Sequence, residues 1–197
     1  MPPRKQQELL TAAVEREGEA QRRLLAGDLD AARAEFAVAA DLYRQSWESA
    51  HARAFGRLVG MLKAAVLAGG GASEARYVRT ALGERDPESS TASYAQTLAA
   101  LILGDDRDAR LWAARMSAGD EAFARTGEAA AAIASHDGQR YAVALAAIVH
   151  DFAQRSEHLT GVAIADTALM LEALAARRGM AVGTESPVMP GRSVPPS

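Results

Sequence analysis

The chain has 197 residues, enough for one domain that buries a core without disulfides or metal staples. Hydrophobic residues make up 49% and charged residues 24%, the balance of a folded chain and not of a disordered one. A net charge of −3 excludes the strongly basic surface of a nucleic-acid protein, and the lack of cysteine excludes disulfide scaffolds, thiolate zinc sites and cysteine nucleophiles.

Alanine is abundant and aromatics reach only 5%. Alanine is the strongest helix former and lets helices approach closely, so the composition predicts an all-α fold. The start, Met1-Pro2-Pro3-Arg4-Lys5-Gln6-Gln7, has basic residues but no apolar stretch, and no run reaches membrane-spanning length. A cytoplasmic protein is expected. The preference for Arg over Lys, together with the alanine content, points to a GC-rich bacterial genome.

From Glu8 to Ala26, Leu9, Leu10, Ala13, Val14, Ala20, Leu24 and Leu25 recur at helical spacing. Gly27 ends this helix and Asp28 can cap the next, which carries Phe36, Ala39 and Tyr43 to about Arg44. The pattern places a third helix from Trp47 to Ala68, with Ser46 as its cap and Gly69-Gly70-Gly71 after it. A short fourth helix follows Ser73, and the fifth starts at Ser89 or Ser90 beyond a polar loop at 83–88. Gly104-Asp105, Gly119-Asp120 and Asp137-Gly138 then mark the starts of the sixth, seventh and eighth helices. The ninth is expected from about Val162 to Arg178. Residues 180–197, rich in Pro, Gly and Ser, read as a flexible tail to a single domain at 1–179.

Gly70, Gly104 and Gly138 stand 34 residues apart, and Gly27 lies 43 before Gly70. With Gly27, Ala32, Phe36 and Ala39 in that order, the first hairpin resembles the tetratricopeptide repeat, whose period is 34 residues. The Trp, Leu-Gly and Pro positions of that motif are largely missing, and Ala113 stands where the third unit needs an aromatic residue. The resemblance implies stacked antiparallel helical hairpins, about nine helices in all.

Few polar residues stand out from this pattern. Lys63 sits in the apolar run from Phe55 to Leu67 and is one of only two lysines, with Arg57 one and a half turns before it. A lysine so placed either snorkels to water or meets an anionic or carbonyl group. Gly56 and Gly60, one turn apart in the same run, suggest a close helix crossing. Asp166 lies in an almost apolar decade and needs a partner, for which Arg155 and His158 are the nearest in sequence. Asp151 and Arg155 are spaced to pair along one helix face. His136-Asp137 and His150-Asp151 look like paired metal ligands, but fourteen helical residues span about 21 Å, too far for a shared ion.

The phrases Gly56-Arg57-Leu58-Val59-Gly60-Met61-Leu62-Lys63-Ala64, His158-Leu159-Thr160-Gly161-Val162, Asp166-Thr167 and Arg178-Gly179-Met180 resemble a group of actinobacterial helical proteins. Some of these look similar to immunity proteins of polymorphic toxin systems. That likeness implies a small protein that acts by binding another. The expectation is a non-enzymatic interaction module for a protein or peptide, with Arg44, Trp47, Arg57 and Lys63 as contacts and without cofactor, metal, membrane or nucleic acid. One alternative is a hydrolase or ligand-binding protein built on Asp151, Arg155, His158 and Asp166; another is self-association, as in a homodimer.

Overall fold

The computed structural model describes residues 3–83 and 88–191. Among them the fold is all-α: α1 (Pro3–Leu25), α2 (Leu29–Glu48), α3 (Gly56–Leu67), α4 (Ala72–Leu82), α5 (Ser90–Leu103), α6 (Asp106–Met116), α7 (Glu121–Ala134), α8 (Gly138–Ala153) and α9 (Asp166–Ala176). Each helix from α1 to α8 packs on the next one in sequence, as stacked hairpins do, and α3, α5 and α7 also touch in series to form an inner row. Helix α5 is the centre of that row. Every residue from Ala92 to Leu101 is buried, and Thr97 satisfies its hydroxyl on the Ser93 carbonyl 2.8 Å away.

Four joints, α1–α2, α3–α4, α5–α6 and α7–α8, share one local solution. Gly27, Gly69, Gly104 and His136 have φ of +80°, +97°, +77° and +54°, the left-handed conformation that closes a helix. The next residue then reaches back to a carbonyl five positions earlier, as from Asp105 N to Ala100 O at 2.9 Å and from Asp137 N to Ala132 O at 3.0 Å. Asp28, Asp105 and Asp137 cap the helices that follow, their carboxylates accepting from Ala31 N, Asp108 N and Arg140 N. The equal spacing of Gly70, Gly104 and Gly138 is therefore not an equality of role. The left-handed residue is Gly69 at one joint and His136 at another, and Gly138 is the first residue of α8.

Three expectations need correction. The third helix does not begin at Trp47, because α2 continues through it to Glu48 and α3 starts only at Gly56. Ser46 is buried inside α2, donating its hydroxyl to the Gln6 carbonyl at 2.8 Å rather than capping a helix. The ninth helix starts at Asp166 and not Val162, leaving an irregular segment at 154–165 that crosses back to α1. There Thr160 donates to Gln21, and a β-carbon on Gly18 would lie 3.1 Å from the Thr160 carbonyl oxygen. Residues 180–191 are irregular but docked, for Val188 and Met189 are buried and Ala165 N donates to Val188 O at 2.7 Å. Residues 192–197 of the expected tail lie outside the described residues.

Helix α9 gives the stack its particular form. It folds back across α3, α7 and α8, so the chain's own last helix covers the inner row. Its apolar residues face several neighbours at once, with Ala168, Met170, Leu171, Leu174 and Ala175 fully buried.

Candidate functional site

The start of α9 meets α1, α3 and α5 in a cluster of polar side chains. Helix α1 contributes Glu17 from its buried stripe of Ala13, Glu17, Ala20 and Gln21, and Glu17 is only 3% exposed. Helix α2 places Tyr43 opposite, whose hydroxyl donates to Glu17 Oε2 at 2.6 Å. Helix α3 supplies Lys63, surrounded by buried Leu62, Ala64 and Ala65. Its ammonium donates to the Asp166 carboxylate and to Thr167 Oγ1 at 3.3 Å. Asp166 opens α9, where a negative charge suits the helix dipole, and its second oxygen accepts from Thr167 N at 2.7 Å. Tyr94 of α5 lies beside Thr167, and among the described residues its buried hydroxyl meets no partner in hydrogen-bond geometry.

Burial and charge set the protonation states. Burial pushes the Glu17 carboxyl above its ordinary range, against the opposing pull of Lys63 and the Tyr43 hydrogen bond. For Lys63, burial alone would lower the ammonium, but Asp166, Tyr94 and Glu17 together hold it above the usual lysine value. Burial also raises the Tyr43 and Tyr94 phenols, with Glu17 adding to the effect at Tyr43 and Asp166 at Tyr94.

Two cavities flank the Lys63–Asp166 pair. The smaller, about 280 Å³, has walls from Phe123, Phe152, Val162 and Ile164, with Tyr94, Thr167 and His158 among its polar lining. The larger, about 720 Å³, opens between α1 and α3, where Leu10, Val14, Phe55 and Val59 face it alongside Arg57 and Glu17. Leu159, on the segment 154–165, borders both and is 80% exposed.

The four residues expected as partner contacts do not form one surface. Arg44 is exposed on α2, bonded to Glu48 at 3.0 Å and lying 4.3 Å over the Tyr77 ring. Trp47 is half-buried against Phe55, with ring centroids 6.0 Å apart. Arg57 lines the larger cavity, and Lys63 points inward to its ion pair. Lys63 is corrected from a surface contact to a core cation, because Asp166 on a distant helix offers a better partner than solvent.

The alternative set is brought together in part. Arg155, His158 and Asp166 line the smaller cavity, whereas Asp151 pairs outside it with Arg155 at 2.6 Å and Arg125 at 2.9 Å. Arg155 lies 3.8 Å over the Phe152 ring, on which His158 also stacks. Neither is the partner of Asp166; Lys63 is. Glu17, Tyr43, Tyr94 and Thr167 are not among the site residues expected from the sequence. For Glu17 a signal existed, since it falls in step with Ala13, Ala20 and Leu24 on the apolar stripe of α1.

Among the described residues no helix is long and apolar enough to cross a membrane. Comparison with protein-family models, with curated proteins and with solved structures finds no match.

Proposed function

We propose that this protein is a non-enzymatic binding module, whose ligand or partner group enters the cleft bounded by α1, α3, α9 and the segment 154–165. The observation that carries this reading is the placement of a buried polar cluster, Glu17–Tyr43 and Lys63–Asp166–Thr167, at the meeting of two cavities. Pockets that combine apolar walls with a few convergent polar groups are the usual form of ligand sites. Binding is favoured over catalysis because the charged groups are engaged with one another. The Lys63 ammonium is engaged by Asp166 and Thr167, and Glu17 by the Tyr43 hydroxyl. Methyl-detected NMR of the full chain with a small-molecule fragment set tests this. Shifts should concentrate at Val14, Val59, Val162 and Ile164; shifts confined to the outer helices would sink the reading.

A second reading, recognition of a protein or peptide, rests on a different place. Val143 of α8 is 70% exposed in an open groove between α7 and α8, with Ala124, Ala144 and Ala147 beside it and Arg125, Glu128 and Arg140 at the rim. Exposed apolar grooves with charged rims suit protein contacts. Affinity capture from the native host with wild type and Val143→Glu tests it. A partner lost in the variant supports this reading, and a captured set unchanged by it does not. Light scattering of both forms reads self-association at the same surface.

A further inference from the structure

Among the described residues, Arg57 in the larger cavity has no counter-charge. Arg57 is half-buried in its wall, and burial pulls its guanidinium below the ordinary arginine value, with no carboxylate opposing that pull. Among the described residues its side-chain hydrogen bond is a long one, from an Nη to the Gln6 amide oxygen at 3.4 Å, and its buried Nε has no partner. A guanidinium taken out of water normally has an anion against it, because desolvation is otherwise uncompensated. The acids that share the wall do not serve. Asp166 is committed to Lys63, and Glu17 accepts from Tyr43 with its carboxyl shifted toward the neutral form. Ser89 and Thr91, near the start of α5, supply hydroxyls, and Leu10, Val14, Phe55 and Val59 supply the apolar lining.

Resting on the binding reading above, we infer that this cavity receives the carboxylate of an amphipathic ligand. The carboxylate sits on the Arg57 guanidinium, and the apolar part lies along Leu10, Val14, Phe55 and Val59. A bidentate guanidinium–carboxylate contact in a partly dry wall gives both strength and orientation. The anion replaces the weak bond to Gln6 and offers an acceptor near the unpartnered Nε.

Octanoate, octanol and octylammonium, three probes with one chain length and different head groups, test the inference by methyl-detected NMR titration of the full chain. Octanoate should bind at least about tenfold more tightly than octanol, and octylammonium should be the weakest. Arg57→Gln should weaken octanoate by at least about tenfold and leave octanol within about twofold. Arg57→Lys, which keeps the charge but loses the fork, should fall between. Circular dichroism confirms that each variant is folded, as expected when the side chain's bonded partner is a single amide. If octanoate and octanol bind alike and Arg57→Gln changes neither, carboxylate recognition is overturned while the cleft remains a binding site. If no probe moves the Val14 and Val59 methyls, the carboxylate site and the cleft reading fall together.

Discussion

Helix α9 is tied to the body by an ion pair at each end, and the two ties differ in what surrounds them. At its C-terminal end Arg178, with a side chain 9% exposed, donates to Asp106 at 2.7 Å and to the Leu101 carbonyl at 2.9 Å. It clamps the end of α9 to the joint between α5 and α6. At the N-terminal end Lys63 and Asp166 are similarly shielded, 14% and 17% exposed, but cavities border them on two sides. The Arg178–Asp106 pair, with Asp106 26% exposed, ties α9 to the joint between α5 and α6. The Lys63–Asp166 pair, beside open space, can also be reached by something that enters.

This contrast can be broken by measurement. Asp166→Ala leaves Lys63 buried and unpaired, and urea denaturation should show a loss of about 3–5 kcal/mol. The joint change Lys63→Met with Asp166→Leu should recover most of that loss, since an apolar pair of similar size replaces the desolvated charges. Arg178→Met should cost less, about 2 kcal/mol, because the Asp106 left behind is more exposed and keeps His136 at 3.0 Å. If the second loss exceeds the first, the pair at the cavities is not the more deeply committed one. Gly60→Ala should destabilise by about 1–2 kcal/mol, since the added β-carbon would meet the Tyr43 ring at 2.8 Å; Gly56→Ala, with open space around it, should not.

The smallest effect is a pH dependence at Glu17. Its carboxyl is raised in the folded chain, so the folded state keeps the proton more readily than the unfolded state does. The wild type therefore loses stability as pH rises from the ordinary glutamate value of about 4.3 through the raised value. Glu17→Gln lacks that loss. Melting curves of both forms between pH 4.5 and 8 should show the variant gaining on the wild type with rising pH, and a difference that stays constant would refute the assignment.

Much of the fold was legible because the cues are local. Gly27-Asp28 and Gly104-Asp105 announce a left-handed stop followed by a cap, and the chain obeys both. Where the sequence misled, tertiary contact overrode the local cue. Ser46 looked like a cap, but the Gln6 carbonyl 40 positions earlier took its hydroxyl and α2 ran on. The site was legible only in fragments. Lys63 and Asp166 each stood out as a charge in an apolar run, yet they are 103 positions apart and nothing in the periodicity joins them. Asp166 was matched instead with Arg155 and His158, its neighbours along the chain. Glu17 was hidden among the other acids of α1 until its place in the buried stripe was seen.

The return of α9 across the inner row also bears on how the chain acquires its structure. A stack held only by neighbouring hairpins can form one unit at a time from any starting point. Here part of α3 and of α7 is covered only by residues 166–176, more than 100 positions after α3 begins. Long-range closure of this kind slows folding relative to a simple helical array and joins early and late hairpins in one transition. During synthesis the faces of α3, α7 and α8 that α9 covers stay open until residues 166–176 are made, a state in which a helical protein is exposed to aggregation.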